Sequence, residues 1–484
     1  MKKLTLLHSN DLHGDFMSVQ TDNKLLGGIS MLSGYVAKTR TEEKNVIYAV
    51  AGDMLRGSVI DSEFKGLSTI EIMNMLSPDV SCVGNHEFDY GVAHLLFIEK
   101  CARFPVLSAN LYVKGTKIHM FRSHYIKKIG GMKILFIGIS TPDILKMNHE
   151  GEPVSRYVDA SDAVNEIKNL CNRYKNTDID LTVLLTHIGF EEDKKLAAMI
   201  PQDLGVDLII GGHSHTLLNE PYTVNGIPIV QAVTGTDQIG RFDIIIDEEN
   251  NKIDSYKWQL IPISEENCPH DEDLEKLIQK YKTVTDKKYS RYITRLEREI
   301  FNSDRNREND IGKLFSDAIR EYFSLDIMLI ASGSLRAESF GPIVEYGDLA
   351  EMFPFGDEVY CFYITGTQLK QAIFHIFRRE AFDGVHTEYY QFSKGIEITV
   401  SEKEKTVTSI LFDGEPINED AVFSVGLQGF HYKNIEKCLG LSRDDITKIK
   451  NPRILAVKDS DIIDEYLSGK ELVKIPKDQR WITK

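Results

Sequence analysis

Short runs of apolar and β-branched residues recur through the first half of the chain: LTLL (4–7), NVIYAVA (45–51), DVSCV (79–83), PVLSA (105–109), KILFIGIS (133–140), DLTVLLT (180–186) and VDLIIG (206–211). Runs this short and this continuous read as strands buried on both faces. Between several of them the apolar residues return at helical spacing, in STIEIMNML (68–76), YGVAHLLFIEKCAR (90–103) and DASDAVNEIKNLCNRY (159–174). Alternating strands and helices predict an α/β domain in layers, with the crossover helices covering the sheet.

The pattern changes after a strand-like RFDIIID (241–247). Residues 264–290 are highly charged, with Leu274, Leu277 and Tyr281 at helical spacing, which predicts a helix linking two domains. The reading is therefore a first domain over 1–263, a linker helix over 264–295 and a second, α+β domain over 296–484. Helices are expected there at 310–323 and 367–380, and strands at 325–331, 358–364 and 421–427.

A chain of 484 residues, 42% hydrophobic and 27% charged, has the composition of a globular protein with more than one core. Its formal net charge of -16 excludes electrostatic coating of a nucleic acid polymer, which needs clustered Lys and Arg. Any phosphate must then be held locally. The six cysteines have no C-x-x-C spacing, so free thiols are expected rather than a thiolate metal site. The apolar run near the start is too short for a secretory leader, and no segment approaches a membrane span. A cytoplasmic protein without membrane partners is the expectation.

Against this background, polar motifs follow the predicted strands: D-L-H-G (11–14), G-D (52–53), G-N-H-E-F-D (84–89), T-H (186–187) and G-G-H-S-H (211–215). Loops at the carboxyl ends of strands gather into one crevice in an open α/β sheet, so residues distant in sequence can converge. D-L-H-G or G-D alone is more often a turn with a capping Asp than a metal site, and G-G-H-S-H alone is nearer even. The ordered set, at residue frequencies of a few per cent, should arise by chance in roughly one chain in a million. Asp, His and Asn are the oxygen and nitrogen ligands that suit zinc, manganese and similar divalent ions. A carboxylate can bridge two ions, which makes Asp53 the natural shared ligand. His8 belongs to none of these motifs.

These motifs resemble the signature of the calcineurin-like metallophosphoesterases, specifically the 5′-nucleotidase family. The resemblance implies a layered metallophosphoesterase β-sandwich flanked by helices, followed by a second α+β domain. It implies one divalent ion on Asp11, His13, Asp53 and His215, and another on Asp53, Asn85, His187 and His213. It makes His86 and Asp89 a catalytic dyad, and leaves Glu87 a structural residue. From the second domain it implies phosphate-binding arginines at Arg305, Arg307 and Arg336, and base-stacking rings at Phe355 and Phe430.

The second domain also departs from that pattern. Ala331 stands where the family usually has Asn, Ser332 and Ser334 replace glycines, and no G-G-D-G-type loop follows Phe430. The expected activity is two-metal hydrolysis of a small phosphate ester, nucleoside 5′-monophosphates or related nucleotides foremost. The alternatives are a cyclic-nucleotide, dinucleotide or nucleotide-sugar phosphodiesterase, or a nucleotide-binding sensor without catalysis.

Overall fold

The computed structural model describes residues 2–21, 24–149, 152–302, 304, 306–382 and 387–484. They divide into two compact units, Met1–Thr285 and Asp286–Lys484.

In the first unit the expected strands all form, and they fall into two six-stranded sheets. One runs in the order Lys252–Pro262, Gln238–Asp247, Lys2–Ser9, Val46–Val50, Val80–Cys82, Val106–Leu107, and its last four strands are mutually parallel. The other runs Tyr222–Val224, Ile227–Val230, Leu208–Ile210, Leu181–His187, Met132–Ser140, His124–Ile129, with the middle strands parallel. Alternation decides which face each residue meets. Leu4, Leu6, Ile47 and Val80 from one sheet pack with Phe136, Val183, Leu185 and Ile210 from the other, forming a core between the sheets. On the outer face of the first sheet, Leu7, Tyr48 and Val50 pack under the helices Ile29–Glu42 and Leu67–Leu76. Across the molecule, Ile137 and Leu184 pack under Ala163–Tyr174 and Phe190–Met199. The unit is thus a β-sandwich between two helical layers.

The stretch expected to link the domains contains the helix Glu272–Tyr289. Leu274 and Ile278 are buried in the same core as Ile29 and Leu32, so the first turns of this helix belong to the first unit. The division at 285/286 falls inside it. Gly34 permits that packing, because a Cβ there would sit 1.7 Å from the Pro269 carbonyl oxygen.

One buried group stores a pH dependence. His8 is fully buried with neither ring nitrogen hydrogen-bonded, and its ring stacks on Trp258 at 5.3 Å between centroids. Burial pushes its pKa down to about 3. The native imidazole stays neutral, while the unfolded chain takes up a proton below pH 6.5, so stability falls as pH drops from 6.5 toward 3 and levels off below that. Between about pH 6.5 and 4.5 this group alone should cost about 2–3 kcal/mol. Urea unfolding of metal-free protein at the two pH values should show His8→Phe losing correspondingly less stability than wild type. Equal losses would mean that His8 is protonated in the folded state.

The second unit holds a five-stranded sheet in the order Tyr390–Phe392, Ile327–Ala331, Val422–Gln428, Val359–Thr365, Arg453–Ala456, and a four-stranded sheet built on Ile396–Ser401 and Thr406–Phe412. The helix Asp310–Phe323 starts at Asn309, whose side chain accepts from the Gly312 N–H at 2.7 Å. The helix Gly366–Ile376 starts with a capping box of Thr365 and Gln368. Arg480 is buried and forks onto Asp317 at 2.7 and 2.9 Å, which fixes the last strand, Trp481–Thr483. Among the described residues no helix is long and apolar enough to cross a membrane.

Candidate metal centre

Every motif singled out above lies at or just beyond the carboxyl end of a parallel strand. Asp11 and His13 follow Lys2–Ser9, Asp53 follows Val46–Val50, Asn85 and His86 follow Val80–Cys82, His187 ends Leu181–His187, and His213 and His215 follow Leu208–Ile210. The loops must turn sharply to aim these side chains inward. Asp11, His13, Asp53, His213 and His215 all have left-handed backbone, with φ of 51, 48, 51, 78 and 50°. Asp and His tolerate that region better than most residues, though it still stores strain.

The loops converge on three overlapping sets, Asp11–His13–His215, His13–Asp53–His86 and Asp53–His187–His213, and within each set the candidate ligand atoms lie within 4.8 Å of one another. Asp11 Oδ1 is 3.3 Å from His215 Nε2, and His13 Nε2 is 3.8 Å from Asp53 Oδ2. On the other side of Asp53, its Oδ2 is 3.0 Å from His187 Nε2, and Asn85 Oδ1 is 3.3 Å from His187 Nε2 and 2.7 Å from His213 Nδ1. The structure thus brings together all seven sequence-expected ligands, with Asp53 between two groups. His86 also enters one set.

The surroundings decide which nitrogens are free. His187 Nδ1–H donates to the Ala51 carbonyl at 2.8 Å, and His13 Nδ1–H to the carbonyls of Arg56 at 3.1 Å and Leu55 at 3.3 Å. Carbonyls only accept, so both rings carry a proton on Nδ1 and turn Nε2 toward the cluster, where its lone pair becomes available once that nitrogen is deprotonated. His86 Nδ1–H donates to Asp89 Oδ2 at 2.6 Å.

Electrostatics point to a cation at the centre. Burial raises the Asp11 pKa. Burial acts the same way on Asp53, but His187, with His86 and His13, more than offsets it and holds that carboxyl below its usual range. Burial works against protonation of His187, yet Asp53 and Asp11 push it up to about 9. The imidazolium stands in for positive charge that two buried carboxylates require, and a metal ion displaces such protons when it binds. For His86 the Asp89 hydrogen bond is the largest influence, and it raises the pKa.

Residues with no motif of their own hold the loops. The buried Glu87 accepts backbone N–H bonds from Gly84 and Met54 at 2.7 Å and from Asp53 at 3.1 Å, tying the Asn85 loop to the Asp53 loop. Burial, then the nearby Asp53 charge, pushes its pKa up to about 7. Gly84 lets the loops meet, since a Cβ there would lie 2.2 Å from Asp53 Oδ1. Gln231 accepts from Ser214 Oγ and the Thr216 N–H, both at 3.1 Å, and donates to the Gly212 carbonyl, pinning the G-G-H-S-H loop. Asn10 donates to Asp11 Oδ2 at 2.6 Å and to the carbonyl of Val233, a β-branched residue at φ 61°. None of the motifs includes Asn10 or Gln231: Gln231 acts on a loop distant in sequence, and Asn10, though next to Asp11, ties it to the equally distant Val233.

Carboxylate, amide oxygen and imidazole donors grouped around one shared carboxylate fit a pair of divalent ions. The calcineurin-like phosphoesterase family matches residues 4–217, which hold every candidate ligand, and the 5′-nucleotidase C-terminal domain matches residues 291–436. The chain belongs to the 5′-nucleotidase family. It is 25% identical over 525 residues to a 5′-nucleotidase of Mus musculus, covering 97% of this chain and 89% of that protein. A snake venom 5′-nucleotidase of Crotalus adamanteus is 26% identical over 423 residues, 78% of this chain and 70% of that protein. The fold is shared with a 5′-nucleotidase precursor from Thermus thermophilus, at a TM-score of 0.67 and 22% identity over 100% of this chain and 99% of that one. This family member is a metal-dependent phosphoric ester hydrolase that uses two divalent ions.

In the second unit, Phe355 and Phe430 are exposed, at 55% and 58%. The Arg336 guanidinium lies over the Phe355 ring, 5.7 Å from its centroid. Phe430 is anchored by its backbone N–H, which donates to Asp357 Oδ2 at 2.8 Å. Ser334 Oγ and the Ala331 N–H both donate to Gln428 Oε1 at 3.0 Å, so the serine-bearing turn before Arg336 is fixed to the residue preceding Gly429 and Phe430. Arg307 is exposed and pairs with Asp304 at 3.4 Å. Arg305 lies outside the described residues.

Proposed function

We propose that this chain hydrolyses nucleoside 5′-monophosphates or closely related nucleotides to nucleoside and phosphate. The observation that carries this reading is the His86–Asp89 pair beside two ligand groups that share Asp53. Asp11, His13, Asp53 and His215 would hold one ion, and Asp53, Asn85, His187 and His213 the other. When bound, the ions supply a nucleophile at neutral pH and Lewis-acid stabilisation of the phosphoryl oxygens. Asp89 orients His86 and favours its imidazolium form, whose Nε2–H donates to the phosphoryl group or to the departing oxygen. Glu87 keeps the Asp53 and Asn85 loops in register.

Nucleotide selectivity is assigned to the second unit, where exposed rings at Phe355 and Phe430 suit a base and Arg307 and Arg336 suit phosphate. Base stacking is worth roughly 1–3 kcal/mol per ring, so Phe355→Ala should lower kcat/KM for a nucleoside monophosphate about five- to a hundredfold while sparing a small aliphatic phosphate. Arg336→Ala should lower both, because every substrate carries the phosphate. Equal losses on both substrates in the Phe355 variant would make that ring a packing residue.

A cytoplasmic location forms part of the same reading, supported by six free thiols, a state favoured in reducing compartments. The activity is tested by phosphate release from purified, metal-loaded protein over nucleoside monophosphates, cyclic nucleotides, nucleotide sugars and single-stranded DNA. Fastest turnover is expected on nucleoside monophosphates, and turnover confined to diesters or DNA would overturn the assignment.

A further inference from the structure

The candidate ligands differ in how far they reach solvent. The side chains of Asp11, Asp53 and His187 are buried, whereas those of His13, His86 and His215 are 19, 37 and 44% exposed. These three rings, with the partly buried Asn85 and His213, form the open side of the cluster on which a substrate can meet it. On that side stands a cation outside every motif considered above. Arg56 is 48% exposed, and its Nη1 lies 3.1 Å from Asp89 Oδ2, the same oxygen that accepts from His86 Nδ1.

The backbone holds Arg56 there. Its N–H donates to the buried Asp61 Oδ2 at 2.8 Å, its carbonyl accepts from His13 Nδ1 at 3.1 Å, and its φ of 63° turns the chain sharply between these two anchors. Asp61 is fixed in turn by the Tyr90 hydroxyl at 2.7 Å and by Thr69. One guanidinium nitrogen is engaged by Asp89, and most of the five donors of the fork remain for another oxygen. A structural role alone explains the arrangement poorly, because a half-exposed ion pair contributes little to stability.

We propose that Arg56 is a specificity-determining residue: its free donors bind a non-bridging oxygen of the substrate phosphate beside His86, favouring phosphomonoester dianions over singly charged diesters. This rests on the phosphate-ester reading of the same site and deepens it by naming the charge class of the substrate. A monoester has one more anionic oxygen for the fork to engage, and a charge-assisted hydrogen bond of this kind is worth about tenfold or more in binding.

The test uses Arg56→Gln and Arg56→Lys in full-length, manganese-loaded protein. The readouts are metal content, calorimetric affinity for inorganic phosphate, and kcat/KM for p-nitrophenyl phosphate and bis-p-nitrophenyl phosphate. With metal content unchanged, Arg56→Gln should weaken phosphate binding and monoester kcat/KM by about tenfold. Its loss on the diester should be at least about threefold smaller, and Arg56→Lys should recover part of the phosphate affinity through charge. Equal losses on monoester and diester would place Arg56 behind Asp89 as a positioning residue and overturn the proposal, as would unchanged phosphate affinity in Arg56→Gln. Phosphate binding that depends on Arg56 in a protein without monoesterase turnover would instead support this inference and defeat the hydrolytic reading.

Discussion

Replacing Asp53 with Asn should abolish turnover and strip both metal ions while leaving the protein folded. Asn tolerates the left-handed backbone at this position, φ 51°, and its amide oxygen can keep the bond that Asp53 Oδ1 accepts from the His86 N–H at 2.8 Å. What it lacks is the negative charge shared by both ligand groups. Loss of an outer partner of a metal ligand already costs about 10–100-fold in affinity, so loss of the shared ligand should exceed about a hundredfold for each ion. Thermal unfolding makes the effect visible. A ligand at about a hundred times its Kd stabilises by about 2.7 kcal/mol, so wild type should rise in Tm on adding metal and the variant should not. In chelator the variant should be less stable than wild type at neutral pH, because the buried His187 loses the Asp53 carboxylate it pairs with at 3.0 Å, so the comparison is the rise in Tm on adding metal to each protein. Retention of both ions with full turnover would remove Asp53 from the centre of the mechanism.

The second large effect separates chemistry from metal binding. His86→Ala should lower kcat by about two or more decades, the contribution of general acid and base help, without loss of metal. Asp89→Ala should act through the same step, because its Oδ2 holds His86 Nδ1 at 2.6 Å. The double variant should then be little worse than His86→Ala alone, as expected of residues that work as one unit. The experiment also settles the role of His86, which stands with His13 and Asp53 in one of the three ligand sets. If His86→Ala empties the site, it is a ligand. If metal stays and turnover stays, it is neither ligand nor catalyst.

These roles follow from residues that differ in how readily a sequence reveals them. The strands of the sandwich were legible because burial on both faces demands continuous apolar runs such as 46–50 and 181–187, and the ligands were legible because short loops keep their letters adjacent. The edge strands His124–Ile129 and Lys252–Pro262 carry no such signal, since an edge exposes polar residues on one face. The helix Ile29–Glu42 was hidden for the opposite reason. It buries Ser30, Ser33, Gly34 and Thr39 among its apolar residues, which blurs its stripe. At the site, the four backbone N–H groups near Glu87, the clamp of Gln231 on the 211–216 loop and the position of Arg56 between His13 and Asp89 are products of the third dimension. Phe355 and Phe430 are the intermediate case: a sequence can nominate the rings, and the structure supplies their exposure and the Asp357 bond that fixes Phe430.

Two ions should act together across Asp53, and reconstitution of chelated protein distinguishes this from catalysis by one ion. Phosphate release from a nucleoside monophosphate is measured as a divalent metal is added in known equivalents, with bound metal determined by elemental analysis in the same samples. Turnover should stay low through the first equivalent, rise with the second and level off near two ions per chain. Full turnover at one bound ion, or turnover independent of metal, would rule out two-ion hydrolysis at this site.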